Sequence, residues 1–257
     1  MYEIFGSLTN EILLVASLIV IFGAALLAYR LFGKSGLFAV TVIATITANI
    51  ECLIMVQAFG MEQTLGNVFF AVTFLVTDIL SENEGKKEAT KAVMIGIFTS
   101  VFFIITTQSW MLYVPSESDF IMPAISEVFS NTPRMMISSL VVYAISQFVD
   151  VQLYHAWWNL TEKLCKNKRK FLWLRNNGST LISQILNTAL FTLFAFWGTY
   201  DIPTLLSIML SSYVIFIVTS LCDTPAVYIA RKISENRKNK QKKTEDSTEP
   251  ETEKVIA

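Results

Sequence analysis

Charge is scarce in this chain. Only 16% of its 257 residues are charged, against about 25% in a soluble domain, so there is too little polar material to cover a water-facing surface. Cysteine is sparse as well. Cys52, Cys165 and Cys222 stand far apart with no paired or metal-type spacing, which excludes a disulfide scaffold and a cysteine-bound metal knuckle. The single histidine, His155, has no second histidine and no cysteine near it in sequence, so no metal site is expected, and a core or interfacial histidine is the better reading. There is no G-x-x-x-x-G-K-[ST] loop, so no nucleotide energises the chain directly. H-E-x-x-H, G-x-S-x-G and a defensible glycosidase carboxylate pair are also missing; no catalytic residue and no cofactor are expected, and the protein does not read as an enzyme. Nor is there arginine-rich voltage-sensor spacing or a carbonyl-filter signature. The same composition excludes a disordered chain, a collagen and a coiled-coil rod.

What the chain does have is apolar length: 53% of it is hydrophobic. A helix needs about 20 apolar residues at 1.5 Å each to cross roughly 30 Å of hydrocarbon. Seven runs qualify: 11–32, 36–59, 65–82, 92–113, 134–158, 179–199 and 204–230. The first has no basic leader and no A-x-A cleavage site, so it is expected to remain in the mature protein. The third is the shortest and is open to a tilted or re-entrant course. Only helices can satisfy their own backbone groups in lipid from segments of this length. The expected fold class is therefore all-α: a polytopic, multi-pass protein of the cell membrane with seven transmembrane helices. Trp110, Tyr113, Trp157, Trp158, Trp173 and Trp197 fall near the span ends, as interfacial belts require.

The distribution of charge orients these spans. Arg30 and Lys34 join runs one and two; Lys86, Lys87 and Lys91 follow run three; Lys163 to Arg175 separate runs five and six; Arg231 onward follows run seven. With seven spans, 19 of the 20 basic residues share one side and Arg134 alone falls on the other, beside Glu3, Glu62, Glu117, Asp119, Glu127 and Asp201. The positive-inside rule then places the amino terminus outside and the carboxyl terminus in the cytoplasm. Residues 234–257, highly charged and almost without apolar side chains, read as a disordered cytoplasmic tail. The basic stretch 161–178, with Phe171, Trp173 and Leu174 interleaved, reads as a loop or helix lying at the membrane interface rather than as a nucleic-acid site.

Polar groups inside spans are costly, about 2.5–3.5 kcal/mol for a charge on insertion scales, and so point to function. Four carboxylates qualify: Glu51, Asp78, Asp150 and Asp223. Glu51 lies toward the outer half of its run and is open to facing water. Asp78, Asp150 and Asp223 fall on runs three, five and seven, which enter the membrane from the same side, each in the cytoplasmic half. That placement implies one polar layer fed by three helices; an Asp that merely reaches headgroups or caps a neighbour is the plainer alternative. Gln147 and Asp150 share a helix face, as do Thr180, Gln184 and Asn187. Asn49 precedes Glu51 by two residues and points elsewhere. Pro225, directly after Asp223 and Thr224, removes a backbone donor from the last run and implies a broken or kinked helix.

Four stretches, taken in order, resemble the queuosine precursor transporters, formerly grouped as vitamin uptake transporters. They are FFAVTFLVTDILSENEGKKEA (69–89), PRMMISSLVVYAISQFVDVQLYH (133–155), WLRNNGSTLISQILNTALFTLFAFWG (173–198) and SYVIFIVTSLCDTPAVYIAR (212–231). They carry the family's T-D-x-x-x-E-x-x-G-K, S-x-x-x-Y-x-x-S/G-Q-x-x-D-V, R-x-x-x-S-T and T-P-x-x-Y patterns. The resemblance implies a six-helix transporter core, 36–233, preceded by an additional transmembrane helix, 1–35. It implies import of a 7-deazaguanine such as 7-cyano- or 7-aminomethyl-7-deazaguanine for tRNA modification. Asp78 and Glu82 match the family's acidic pair, Gln147 and Asp150 its Q-x-x-D, and Arg175, Ser179 and Thr180 its R-x-x-x-S-T. The chain departs from the pattern at Asn187, where relatives carry Asp, and at Phe216, where they carry Lys; Glu84 replaces a more usual aromatic.

The candidate substrate-binding residues are thus Asn49, Asp78, Glu82, Gln147, Asp150, Arg175, Ser179, Thr180, Gln184, Asn187 and Asp223. The expected partners are a small molecule of the 7-deazaguanine type and the lipid bilayer, without nucleic acid; both a monomer and a homodimer are compatible with the sequence. The leading reading is a secondary transporter. Its alternative is a membrane-embedded capture subunit for another small polar heterocycle or vitamin, energised by a separate partner. A membrane enzyme using Asp78 and Asp150 as acid and base is a third, which nothing in the sequence specifies.

Overall fold

A computed structural model describes residues 2–130, 133–166 and 170–248. Among them are eight helices and one short hairpin: α1 (Tyr2–Phe32), α2 (Lys34–Glu51), β1 (Met55–Ala58), β2 (Met61–Thr64), α3 (Gly66–Asn83), α4 (Lys86–Trp110), α5 (Met122–Ser130), α6 (Pro133–Cys165), α7 (Leu172–Phe196) and α8 (Ile202–Thr248). Five of them, α1, α4, α6, α7 and α8, are long and apolar enough to cross a membrane. The protein is a helical, multi-pass membrane protein. α2 and α3 have 18 residues each, about 27 Å of helix.

α1 shows how the apolar runs divide. Leu14, Leu18, Phe22, Ala25 and Tyr29, spaced three and four apart, form a buried stripe, whereas Ile12, Leu13, Ile19, Val20, Leu27 and Leu31 are exposed. A stripe of that spacing faces protein and the remaining apolar surface suits lipid. α3 is different. Nearly every residue from Ala71 to Ser81 is buried, so α3 runs through the middle of the bundle, packed against α2, α4, α6, α8 and α1. Residues 65–82, open in the sequence to a re-entrant course, are a regular helix.

Four boundaries differ from the sequence reading, each for a local reason. The run 36–59 does not continue as helix: α2 stops at Glu51, and residues 55–64 fold back as an antiparallel hairpin, Met55 opposite Thr64 and Ala58 opposite Met61. Its two turn residues, Phe59 and Gly60, both have positive φ (54° and 70°), the geometry two-residue hairpins demand and glycine permits. The hairpin is tied to α1 by Asn10 Nδ2 donating to the Gln57 carbonyl (3.0 Å) and the Phe59 amide donating to Glu11 Oε1 (2.9 Å). Next, the stretch 161–178, expected as a loop or helix lying at the membrane interface, is largely divided between two long helices. α6 reaches Cys165 and α7 begins at Leu172, seven residues earlier than expected, which puts Arg175 and Asn176 inside a helix. Third, Pro225 does not break the last helix, which runs through it. A proline in a helix removes a single backbone hydrogen bond, here the one that would end on the carbonyl of Leu221, and the rest of α8 carries the helix past it. Finally, residues 234–248, expected as a disordered tail, continue α8. They contain no glycine or proline and are rich in Lys, Arg, Glu and Gln, which are good helix formers. Ser234 is buried, the Arg237 guanidinium donates to the Tyr29 carbonyl (3.3 Å), and Lys238 donates to the Asn83 carbonyl (3.2 Å). Residues 249–257 of the expected tail lie outside the described residues.

These contacts gather one set of helix ends together. Tyr29 donates to Glu84 Oε1 (2.8 Å) and Lys34 pairs with Glu88 (3.1 Å), so the α1–α2 corner, the α3–α4 corner and the end of α8 adjoin. The hairpin and the α7–α8 connection lie at the other end.

Candidate functional site

α7 organises the polar interior. Asn176, Thr180, Ser183 and Asn187 lie four, three and four residues apart, one stripe of one helix face. Three of them donate to carboxylates on three other helices. Asn176 Nδ2 reaches Asp223 Oδ1 on α8 (2.6 Å), Thr180 Oγ1 reaches Asp78 Oδ2 on α3 (3.3 Å), and Ser183 Oγ reaches Asp150 Oδ1 on α6 (2.9 Å). Asp78 and Asp150 are wholly inaccessible and Asp223 is 2% exposed. Asp78 lies within electrostatic reach of both others. Neither Asp78 Oδ1 nor Asp150 Oδ2 has a protein partner. A buried carboxylate oxygen without a donor is unfavourable by about a kcal/mol or more, so this row presents acceptor oxygens that a bound N–H donor would satisfy.

A second polar rung lies one turn away. Gln147 Nε2 donates to Thr73 Oγ1 (2.7 Å), and Thr77 Oγ1 donates to Gln147 Oε1 (3.2 Å), fixing the amide between α3 and α6. Asn187 Nδ2 donates to Gln184 Oε1 (3.0 Å) on the far side of the stripe. Ser179, also buried, donates to its own helix, to the Arg175 and Asn176 carbonyls (2.8 and 3.1 Å), and its hydroxyl lies within reach of Asp150.

Toward the basic end lies a third group. Arg175 Nη2 contacts both oxygens of Glu82 (3.0 and 2.9 Å), and both side chains are essentially inaccessible. Glu82 also accepts from Tyr154 (2.7 Å) and pairs with Arg231 (3.1 Å). The Arg175 guanidinium lies 4.3 Å from the centre of the Trp158 ring. One carboxylate thus ties α3, α6, α7 and α8 together. Because Arg175 is committed to Glu82, it does not neutralise the three aspartates.

All the sequence candidates but one converge on α3, α6, α7 and α8. The exception is Asn49. It is buried on α2, where its amide donates to the Thr45 carbonyl (2.8 Å) and approaches Ser100 Oγ of α4 (3.5 Å), away from the carboxylate row. The sequence reading missed Asn176 and Ser183, although both share the stripe with Thr180; a run begun at 179 leaves Asn176 in a loop. It also missed Tyr154, Trp158 and Arg231, whose pairing depends on tertiary packing. Asn177 and Thr224 add a small network beside Asp223, with Asn177 Nδ2 donating to Thr224 Oγ1 (2.7 Å). His155 stacks on Trp158 (ring centres 6.2 Å apart), and among the described residues no group of three His, Cys, Asp or Glu could hold a metal ion.

A bundle of apolar helices around buried carboxylates, amides and hydroxyls is the construction of a membrane protein that handles a polar solute. Comparison with known proteins makes the class specific. Residues 64–230 match the family model described as "Putative vitamin uptake transporter", and the chain belongs to that transporter family. It is 38% identical over 218 residues to a Bacillus subtilis (strain 168) protein named "Probable queuosine precursor transporter", an alignment covering 85% of this chain and 93% of that one. No solved structure matches. The matched region contains the whole carboxylate row and the Glu82–Arg175 pair.

Proposed function

We propose that this transporter imports a queuosine precursor, a 7-deazaguanine such as 7-cyano- or 7-aminomethyl-7-deazaguanine, for tRNA modification. It crosses the cell membrane seven times, with its amino terminus outside and its carboxyl terminus in the cytoplasm; residues 36–233 form the core and α1 is an addition to it. The observation that carries the reading is the row of buried aspartates along α7, with Asp78 Oδ1 and Asp150 Oδ2 lacking donors. A 7-deazaguanine is flat and presents N–H donors along one edge. Carboxylate and amide acceptors in a site of low dielectric suit that edge. Asp78 and Asp150 accept from it, Gln147 fixes its orientation, and Asp223 with Asn176 completes the polar wall. The name of the Bacillus subtilis relative supports the substrate class, and the one-sided distribution of basic residues supports the orientation.

In this scheme transport proceeds by alternating access. The Glu82–Arg175–Arg231–Tyr154 cluster closes the cytoplasmic end while the substrate enters from the hairpin end. The test is uptake of labelled 7-cyano-7-deazaguanine by cells that cannot synthesise queuosine precursors, with and without a protonophore, and then by liposomes holding the purified chain alone. Uptake by the liposomes identifies a self-sufficient secondary transporter. Uptake by cells only identifies a capture subunit with a separate energising partner. No uptake in cells that insert the protein normally overturns the substrate assignment.

A further inference from the structure

A cavity of about 500 Å³ lies on the hairpin side of the carboxylate row, and of the candidate site residues only Asn187 borders it. Its wall runs from the hairpin, at Met55 and Gly60, to Phe70 of α3 and Phe216 of α8. Phe70 is the centre of an aromatic cluster. Its ring centre lies 5.4 Å from Phe74, 6.0 Å from Tyr143 and 6.1 Å from Phe216, with the rings tilted or edge-on. Phe74 and Tyr143 do not line the cavity; they pack behind Phe70, and Phe216, at 2% exposure, is almost as fully covered. Polar positions are spread over the wall, among them Asn67 of α3, Asn187 and Thr188 of α7, Ser139 of α6, and Ser211 and Ser212 of α8. Thr188 and Ser211 spend their hydroxyl protons on their own helices, donating to the Gln184 and Ser207 carbonyls (both at about 2.9 Å or less), and so face the cavity as acceptors.

We propose that this cavity is a docking subsite for a planar heterocycle, which stacks against Phe70 before it reaches the aspartates, with Phe216 holding that ring in place. The inference rests on the transport reading above and adds a separate place along the path. The volume falls within the range of small-molecule sites, about 300–1,000 Å³, and such sites combine apolar and aromatic walls with fixed polar groups, as this one does. Aromatic faces serve every flat ring whatever its edge pattern, whereas acceptors at the rim favour rings that carry N–H groups. The subsite is distinct from the carboxylate row. On α3, Asp78 lies two turns beyond Phe70, about 12 Å along the helix, with the Thr73–Gln147–Thr77 rung between them. On this path a solute entering from the hairpin end meets Phe70 before Asp78 and Asp150. The subsite selects flatness, and the carboxylates select the hydrogen-bonding edge.

The test uses full-length protein in lipid nanodiscs, with the three cysteines replaced by serine and Ser212→Cys introduced one turn from Phe216. Modification by a small methanethiosulfonate reagent is followed with and without 7-cyano-7-deazaguanine, guanine and the non-aromatic control glycerol. Both planar probes are expected to slow modification and glycerol is not. Phe70→Leu is expected to raise the half-protecting concentration about tenfold, the scale of a lost stacking contact, while Phe70→Tyr restores protection. In Asp150→Asn, protection is expected to persist although uptake is lost, which separates the subsite from the carboxylate row. Failure of both planar probes to protect Ser212→Cys overturns the subsite even where Phe70→Leu does not fold, and so does equal protection in a folded Phe70→Leu. Uptake without protection removes the subsite and leaves the transport reading standing. Protection by guanine without uptake of 7-cyano-7-deazaguanine keeps the subsite and removes that substrate.

Discussion

Asp150 concentrates the account at the scale of one residue. It is fully buried, one of its oxygens is held by Ser183 and the other lacks a protein partner. Asp150→Asn keeps the size and the Ser183 contact but exchanges an acceptor for an amide donor. We expect uptake to be abolished while the amount of protein inserted in the membrane, read by immunoblot of washed membranes, stays unchanged. Ser183→Ala removes only the orienting hydrogen bond. A hydrogen bond to a charged group is worth about 1.5–3 kcal/mol, so uptake kinetics should show at least a tenfold loss in efficiency with insertion intact. Arg134 illustrates what position alone conceals. In the sequence it is the lone base on its side of the membrane; in the structure its guanidinium donates to the Phe194 and Trp197 carbonyls (2.8 and 2.7 Å) and closes the end of α7. Unpaired carbonyls at a helix end need such partners, and sequence distance, about sixty residues, hides the pairing.

At the scale of elements, two joints hold the helices in place. The first is Glu82, which binds Arg175 and Arg231 and accepts from Tyr154. Removing one partner of a buried ion pair costs about 3–5 kcal/mol, because the other charge stays buried. Glu82→Gln should therefore lower the detergent-solubilised Tm by many degrees, and an unchanged Tm would contradict the joint. The second is Gly33, between α1 and α2, at φ 63°. A side chain there meets left-handed strain of about 1–2 kcal/mol and runs into the Arg237 guanidinium of α8. Gly33→Ala should lower Tm measurably, and an unchanged melting curve would show the corner to be tolerant. Neither joint is visible from periodicity. The existence of the long helices was legible because apolar length over a span is a local property. The hairpin at 55–64 was not, because an apolar run ending in Met-Val-Gln-Ala-Phe-Gly reads equally as the last turns of a helix until the turn geometry is known. The start of α7 was missed for the opposite reason. Trp173, Arg175, Asn176 and Asn177 look like a polar loop, yet all but Trp173 turn into the bundle, where Glu82, Asp223 and Thr224 meet them.

The whole molecule is a helical bundle with its polar groups in the middle and its acyl-facing bulk outside, an inversion that follows from having lipid rather than water at the surface. Most of the site was legible because an ionisable residue in a membrane run is expensive enough to mark itself, and Asp78, Asp150 and Asp223 did. Their common dependence on α7 was not legible, since each pairing joins residues 33 to 102 positions apart. Neither was the cavity, whose wall is shared among α3, α6, α7, α8 and the hairpin. The central claim is that the aspartate row carries a 7-deazaguanine across the membrane, and the most direct measurement is the initial rate of labelled 7-cyano-7-deazaguanine uptake by cells unable to synthesise it, expressing either the wild-type chain or Asp150→Asn at equal membrane levels. The account predicts uptake well above background for the wild type and background for the variant. Equal uptake by the two would contradict it.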